Sequence, residues 1–314
     1  SMQLMHDLGL TQDRAHLFYN SGLHEWACGR LDAAEVLGRT VLDLPGEGEG
    51  AQLAGHTLSG LVAWHKGDVA QARHHMGQTI ALYRHPVHAP LFPKYLKDFG
   101  VFSLFYAALT ESVAARFERA QAHAARAEAL GEVVGIAHPR CFSLLAQFLS
   151  AMFRDDAVTA LAYARRAELM AHQHRFPEFA AMAGFVQGWA QTRDPATQDS
   201  GLAAMILGLE GWRRTHFIAW QSLFEAMVIQ ELVAVGDLDR AAAYLPPLKA
   251  RLALTAEAQF LPPALIAEAR LLAAQGHAPE AAACLDRADR HARDMGADLW
   301  RHHAARARAD LGLS

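Results

Sequence analysis

Cysteine is scarce, with three in 314 residues. Cys28, Cys141 and Cys284 stand far apart with no paired spacing, which excludes a disulfide framework and a Cys-x-x-Cys metal or redox pair and fits reduced thiols in a cytoplasmic setting. Charge of one sign is also missing. The net charge is −4 and the pI about 6.5, so no broad basic field marks a nucleic-acid binder. Apolar runs are broken by Gly, His or a charge before they reach membrane-spanning length. No charged-then-apolar leader opens the chain, so secretion is not expected; Ser1-Met2 reads as the remnant of a cleaved tag, on a segment of something longer. There is no Gly-x-x-x-x-Gly-Lys-Ser/Thr loop, no Gly-x-Ser-x-Gly elbow and no His-Glu-x-x-His helix. The expectation is therefore a non-catalytic chain with no cofactor.

What the chain does have is a repeated phrase. Gly236-Asp237-Leu238-Asp239-Arg240-Ala241-Ala242 returns in altered form from Gly276, Gly67 and Gly29. A Gly closes one apolar-periodic stretch and a small residue stands five positions on, inside the next. That reads as a helix end, a tight turn and a second helix packed closely on the first. The marker falls at Ala34, Ala72, Ala120, Ala160, Gly201, Ala241 and Ala281, at spacings of 38, 48, 40, 41, 40 and 40 residues. A near-constant period with two helices per unit predicts an all-α solenoid of about seven tetratricopeptide-like helix pairs. The units exceed the usual 34 residues, so each helix gains most of a turn.

Taken in order, residues 11–84 are read as repeats 1 and 2, with Thr11 as first N-cap and Asp13 in the first turn. Pro45 to Gly50 reads as an acidic loop. Residues 85–93 hold three prolines and two histidines, a sequence read as an irregular, functional loop that accounts for the 48-residue spacing. Residues 94–296 are read as repeats 3 to 7, the third pair opening near Lys94. Ala115 and Asp155 stand at turns where glycine is usual, and Pro246-Pro247 should kink or break a helix. Residues 297–314 form a polar capping helix.

The period and the small-residue spacing resemble tetratricopeptide repeats over residues 15–311. A narrower resemblance is carried by Ile80-Ala81-Leu82-Tyr83 with Lys97-Asp98-Phe99-Gly100-Val101, by Gln187-Gly188-Trp189-Ala190, and by Gly201-Leu202-Ala203-Ala204-Met205 with Trp212-Arg213-Arg214-Thr215. These are similar to joints in the C-terminal repeat region of bacterial multidomain signalling ATPases. Phe99 departs from a usual Pro there, and Ala115 and Pro195 replace turn glycines. The resemblance implies a cytoplasmic sensor or scaffold region that follows a nucleotide-binding switch and controls a transcription-regulating or cyclase output. Its partners would be an effector, a partner peptide or helix, and neighbouring domains, with no nucleic-acid or membrane contact of its own.

In such arrays the first helix of each pair lines the concave face. That places His16, Tyr19, Leu23 and Trp26; Ala54, Thr57, Leu61 and Trp64; Phe102, Phe105, Leu109 and Ser112; Phe142, Leu145, Leu149 and Met152; and Met182, Phe185, Trp189 and Thr192 inward. The sixth and seventh units add polar Gln230 and Arg270. Candidate contacts for a ligand or partner are Tyr19, Trp26, Trp64, Phe102, Phe105, Phe142, Phe185 and Trp189, with Tyr106, Arg213 and His216 as a polar rim. Two readings stand for this apolar lining. It is a groove for a hydrophobic ligand or helix, or it is core, because a tightly wound spiral packs the rings on one another.

Rivals are a scaffold that self-associates through the repeats and an enzyme with a histidine-rich metal centre. His24 and Cys28, four apart, could share a metal, but Cys28 reads better as a small hydrophobe and His24 as solvated. His85 and His88 flank prolines, where either a pH-sensitive contact or a plain surface loop fits.

Overall fold

A computed structural model describes residues 14–313. Thr11 and Asp13 lie outside the described residues. Fifteen helices of twelve residues or more follow one another, with no strand among the described residues. They are α1 Ala15–Ala27, α2 Leu31–Leu42, α3 Gly48–His65, α4 Val69–Leu82, α5 Phe99–Val113, α6 Phe117–Val134, α7 Ala137–Phe153, α8 Ala157–His174, α9 Pro177–Gln191, α10 Gln198–Arg214, α11 Gln221–Ala234, α12 Leu238–Thr255, α13 Leu261–Ala274, α14 Ala278–Met295 and α15 Asp298–Asp310. Each odd helix up to α13 pairs with the next even one, and each even helix packs on the odd helix that follows. The result is an α-solenoid of seven helix pairs with α15 as its cap.

The marker residues explain the pairing. Ala34, Ala72, Ala160, Ala241 and Ala281 are fully buried and Ala120 nearly so. Asp68, Asp156 and Asp237 cap α4, α8 and α12 through their side chains, each accepting the backbone N–H three residues on. Where the turn glycine is absent, Ala115 and Asp155 still take the left-handed conformation, at φ 55° and 62°.

The closest helix pair is α9 with α10. A Cβ on Gly188 would lie 2.5 Å from the Met205 nitrogen and 2.6 Å from the Gly201 oxygen, both backbone atoms that cannot step aside. Gly188→Ala is expected to force the two helices apart and to cost about 1–3 kcal/mol, read as a shift in urea midpoint. Gly184→Ala, whose nearest neighbour is a Glu168 side-chain oxygen at 3.7 Å, should cost nothing or stabilise slightly.

Several expectations change. α3 already begins at Gly48, so the acidic loop shrinks to its first residues; Glu49 sits in the first turn and pairs with Arg84 and with His88, the latter at 3.3 Å. Residues 85–95 are not irregular but three short helical turns, His85–His88, Ala89–Leu91 and Phe92–Tyr95. Each has its proline in the first turn, where no N–H is needed. The third pair therefore opens at Phe99, behind a left-handed Leu96 and the cap Asp98. Pro246 and Pro247 do not break α12, because both face solvent while Ala241 and Leu248 hold the two halves down.

The spiral closes on itself. The turn after α1 meets the end of α12: a Cβ on Gly29 would lie 2.7 Å from the Thr255 methyl. Ile218 N–H donates to the Ala27 carbonyl at 2.8 Å. One turn further on, Gly67 would touch Met295 at 2.7 Å. The cap α15 reaches the middle of the array, where Trp300 stands edge-on to Phe153 at 5.7 Å and Arg306 meets Asp155 at 3.3 Å. All fifteen residues of α5 are buried, covered from outside by its neighbours and from inside by this return of the chain.

Candidate functional site

Closure decides what becomes of the concave face. Trp64 stacks on Trp220 with centroids 5.0 Å apart and meets Phe260 edge-on at 5.7 Å, both from the far end of the array. Trp26 lies against His65 at 5.6 Å and Phe217 at 6.0 Å. Tyr19 is enclosed by Tyr95 and Phe99, each 5.6 Å away, and burial raises its phenol pKa. Phe102, Phe105 and Tyr106 are buried, and the half-buried Phe142 closes their cluster. Phe185 stacks on Phe224 at 4.4 Å. These side chains are packed on one another, which is the core alternative raised by the sequence. Arg213 is tied to Glu210 and to Glu225 and lies over the Tyr244 ring. His216 is exposed, in the left-handed region at φ 62°, in the loop before α11. His24 is exposed, and the half-buried Cys28 lies 3.7 Å from its Nε2. Among the described residues no group of three His, Cys, Asp or Glu is placed to hold a metal ion.

Buried carboxylates escaped the sequence reading, Glu257 and Glu225 among them. Glu257 in the turn after α12 is 1% exposed, and the fully buried His65 brings its Nδ1 to 3.2 Å from it and its Nε2 to 3.4 Å from the Tyr106 hydroxyl. Burial lowers the His65 pKa, so the ring is neutral: Nδ1–H donates to Glu257 and Nε2 accepts from Tyr106, an assignment made from the network. Glu225 on α11 is fully buried between Arg213 and Arg251. Nothing in local spacing joins His65 to a residue 192 positions away.

One cavity is assembled by the closure. It holds 460 Å³ at the C-terminal ends of α7 and α9 and along the inner faces of α11 and α13, with α15 as its remaining wall. Met152, Phe153, Trp189, Leu223, Ile266 and Trp300 form a buried apolar floor. The rim is charged and reaches solvent. Arg193 pairs with Glu231, Arg270 with Asp310 at 2.9 Å and Arg306 with Asp155 at 3.3 Å. The Arg193 guanidinium also lies over Trp189, 5.4 Å from the ring centroid. Burial pushes the Glu231 carboxyl up despite its arginine. Of the candidate contacts named from sequence, Trp189 alone lines this cavity, and the polar Gln230 and Arg270 of the later units join it. A second hollow, of 680 Å³, lies where α8, α9 and α10 meet, between Phe176, Leu207 and Arg214. It draws on adjacent repeats only, whereas the first is assembled by closure.

No protein-family model matches the chain, and no curated protein matches it. Among solved structures the chain is similar to the crystal structure of the apo form of RapI, with a TM-score of 0.60 at 12% sequence identity, over 90% of this chain and 98% of that one. This likeness carries the helical-repeat fold. No described helix is long and apolar enough to cross a membrane.

Proposed function

We propose that the chain is a non-catalytic recognition domain of a bacterial signalling or transcription-regulating protein, and that it holds an effector in the cavity beneath α15. One observation supports this reading above the others: the cavity has walls from four repeats and from the cap, and two of its rim pairs, Arg270–Asp310 and Arg306–Asp155, fasten α15 to the array. An occupant touching both sides favours the closed spiral over any looser arrangement, which is what a ligand needs in order to shift a population. An apolar floor beneath paired charges suits an amphipathic small molecule or the end of a peptide. Neighbouring domains of a longer chain would receive the change.

Thermal-shift screening of small amphipathic molecules and short peptides tests this. A saturating ligand should raise the melting temperature by a few degrees. Met227→Trp fills the cavity from its α11 wall and should abolish that shift while leaving the unliganded melting temperature within about 2 °C. A hit that shifts the variant equally would move the site elsewhere. A mass that doubles across a concentration series, with no hit, would favour the self-associating scaffold.

A further inference from the structure

At the other end of the inner helices, about 20 Å along α7 from the cavity floor, the chain builds an aromatic cage around an amine. Phe142 on α7 stands 5.0 Å from Phe102 on α5 and 5.0 Å from Phe179 on α9. His138, one turn before Phe142, lies 5.4 Å from Phe179 and 5.6 Å from Phe176. The Lys97 side chain, from the loop ahead of α5, enters this cage with Nζ 4.9 Å from the Phe142 centroid and 5.7 Å from that of Phe102.

The sequence holds four lysines, Lys66, Lys94, Lys97 and Lys249. Lys66 binds Asp32 at 2.6 Å and Glu35 at 2.5 Å, and Lys249 binds Glu268 at 2.7 Å. Lys94 lies beside the Tyr95 ring. Lys97 makes no ion pair among the described residues. Glu178 on α9 acts on it from across the cage without reaching it, and His138 faces it with a buried Nδ1 that has no hydrogen-bond partner. The Lys97 side chain is half-buried, so part of it reaches solvent.

We propose that Lys97 is an amine acceptor site for small apolar aldehydes: its Nζ, caged by Phe102 and Phe142 and carrying no carboxylate partner, condenses with the carbonyl carbon to give an imine. The neutral amine supplies the electron pair for the new N–C bond, and the carbonyl electrons move to oxygen, which takes a proton from nitrogen. The resulting carbinolamine loses that hydroxyl together with the second amine proton as water, leaving C=N. No electron donor or acceptor is needed. An aromatic or branched group entering from the solvent side would pack edge-to-face on these rings. Burial pushes the Lys97 amine down to about 8 and the His138 imidazole down to about 3, so at neutral pH the amine is partly free and the imidazole adds no competing charge. This site is independent of the cavity under α15.

The test is reductive trapping of the folded 314-residue chain with benzaldehyde and cyanoborohydride, followed by peptide mapping. At pH 7.5 the Lys97 peptide should take up the benzyl group roughly tenfold or more faster than Lys66, Lys94 or Lys249. The preference should vanish in urea. Its rate should reach half-maximum near pH 8, the value set by burial. Lys97→Arg should fold normally by circular dichroism and lose the fast adduct. Phe142→Ala, which opens the cage, should slow the trapping at pH 7.5 and move its midpoint upward. Even labelling of all four lysines in the folded protein, or a Lys97 rate that Phe142→Ala leaves unchanged, would overturn the assignment.

Discussion

Trp64→Ala is expected to cost about 3–5 kcal/mol and to enlarge the molecule. The first effect follows from burial: the indole is 1% exposed and meets His65, Tyr106, Trp220 and Phe260. The second follows from where those rings come from. His65 and Tyr106 belong to repeats 2 and 3, whereas Trp220 and Phe260 come from the loop before α11 and the helical turn before α13. A hole at that point removes packing inside the repeats and packing across the closure together. Phe148→Ala is the matched control. Phe148 is fully buried within α7, so it should lose a similar amount, about 3–5 kcal/mol, with no change in radius of gyration. Urea denaturation gives the energies and small-angle X-ray scattering the radius. If the two variants scatter alike, closure is held elsewhere and Trp64 is ordinary core.

This contrast marks what could be read from the chain and what could not. The helix pairs were legible because their signals are local. Small residues at Ala34, Ala72, Ala160, Ala241 and Ala281 and turn glycines at Gly29, Gly67, Gly236 and Gly276 repeat at a spacing that hairpin geometry requires. Tyr19, Trp64, Phe102 and Phe185 are buried, which fits the core reading of the inner lining. What period and pattern do not encode is how far the spiral winds. Winding brings distant residues together, as where Gly29 meets Thr255 and Gly67 meets Met295. The cavity under α15 was hidden likewise. Its members Phe153, Glu231 and Trp300 share no sequence neighbourhood and meet only when the cap returns to repeat 4. Trp189, Gln230 and Arg270 were visible in advance, since each lies on an inner helix near its C-terminal end, where the period alone places it.

Closure also concentrates charge where water is absent, and His65→Ala should expose that cost. Glu257 keeps its carboxylate inside the protein through His65 Nδ1 at 3.2 Å, the Trp220 N–H at 3.3 Å, the Thr255 hydroxyl at 3.3 Å and the Ser222 hydroxyl at 3.5 Å. These bonds are long, so the site depends on their number. Removing the imidazole leaves one carboxylate oxygen short of a donor and the Tyr106 hydroxyl short of an acceptor. Stripping the partner from a buried charge costs about 3–5 kcal/mol, and the neutral ring places this case near the lower end of that range. Glu257→Gln removes the charge but keeps the volume, and should cost about 1 kcal/mol. Made on top of Glu257→Gln, the His65 substitution should then cost roughly 1–2 kcal/mol less than it does alone, a coupling that a double-mutant cycle reads directly. The pH dependence has a definite sign. Burial holds the folded pKa of His65 below the unfolded value of about 6.5. Its contribution is complete above that pH and is lost as the unfolded chain takes up a proton below it. The stability gap between the native chain and His65→Ala should therefore narrow from pH 7 to pH 5. Additive energies with a gap independent of pH would mean that His65 acts there as filler and that Glu257 is held by the backbone and hydroxyl donors alone.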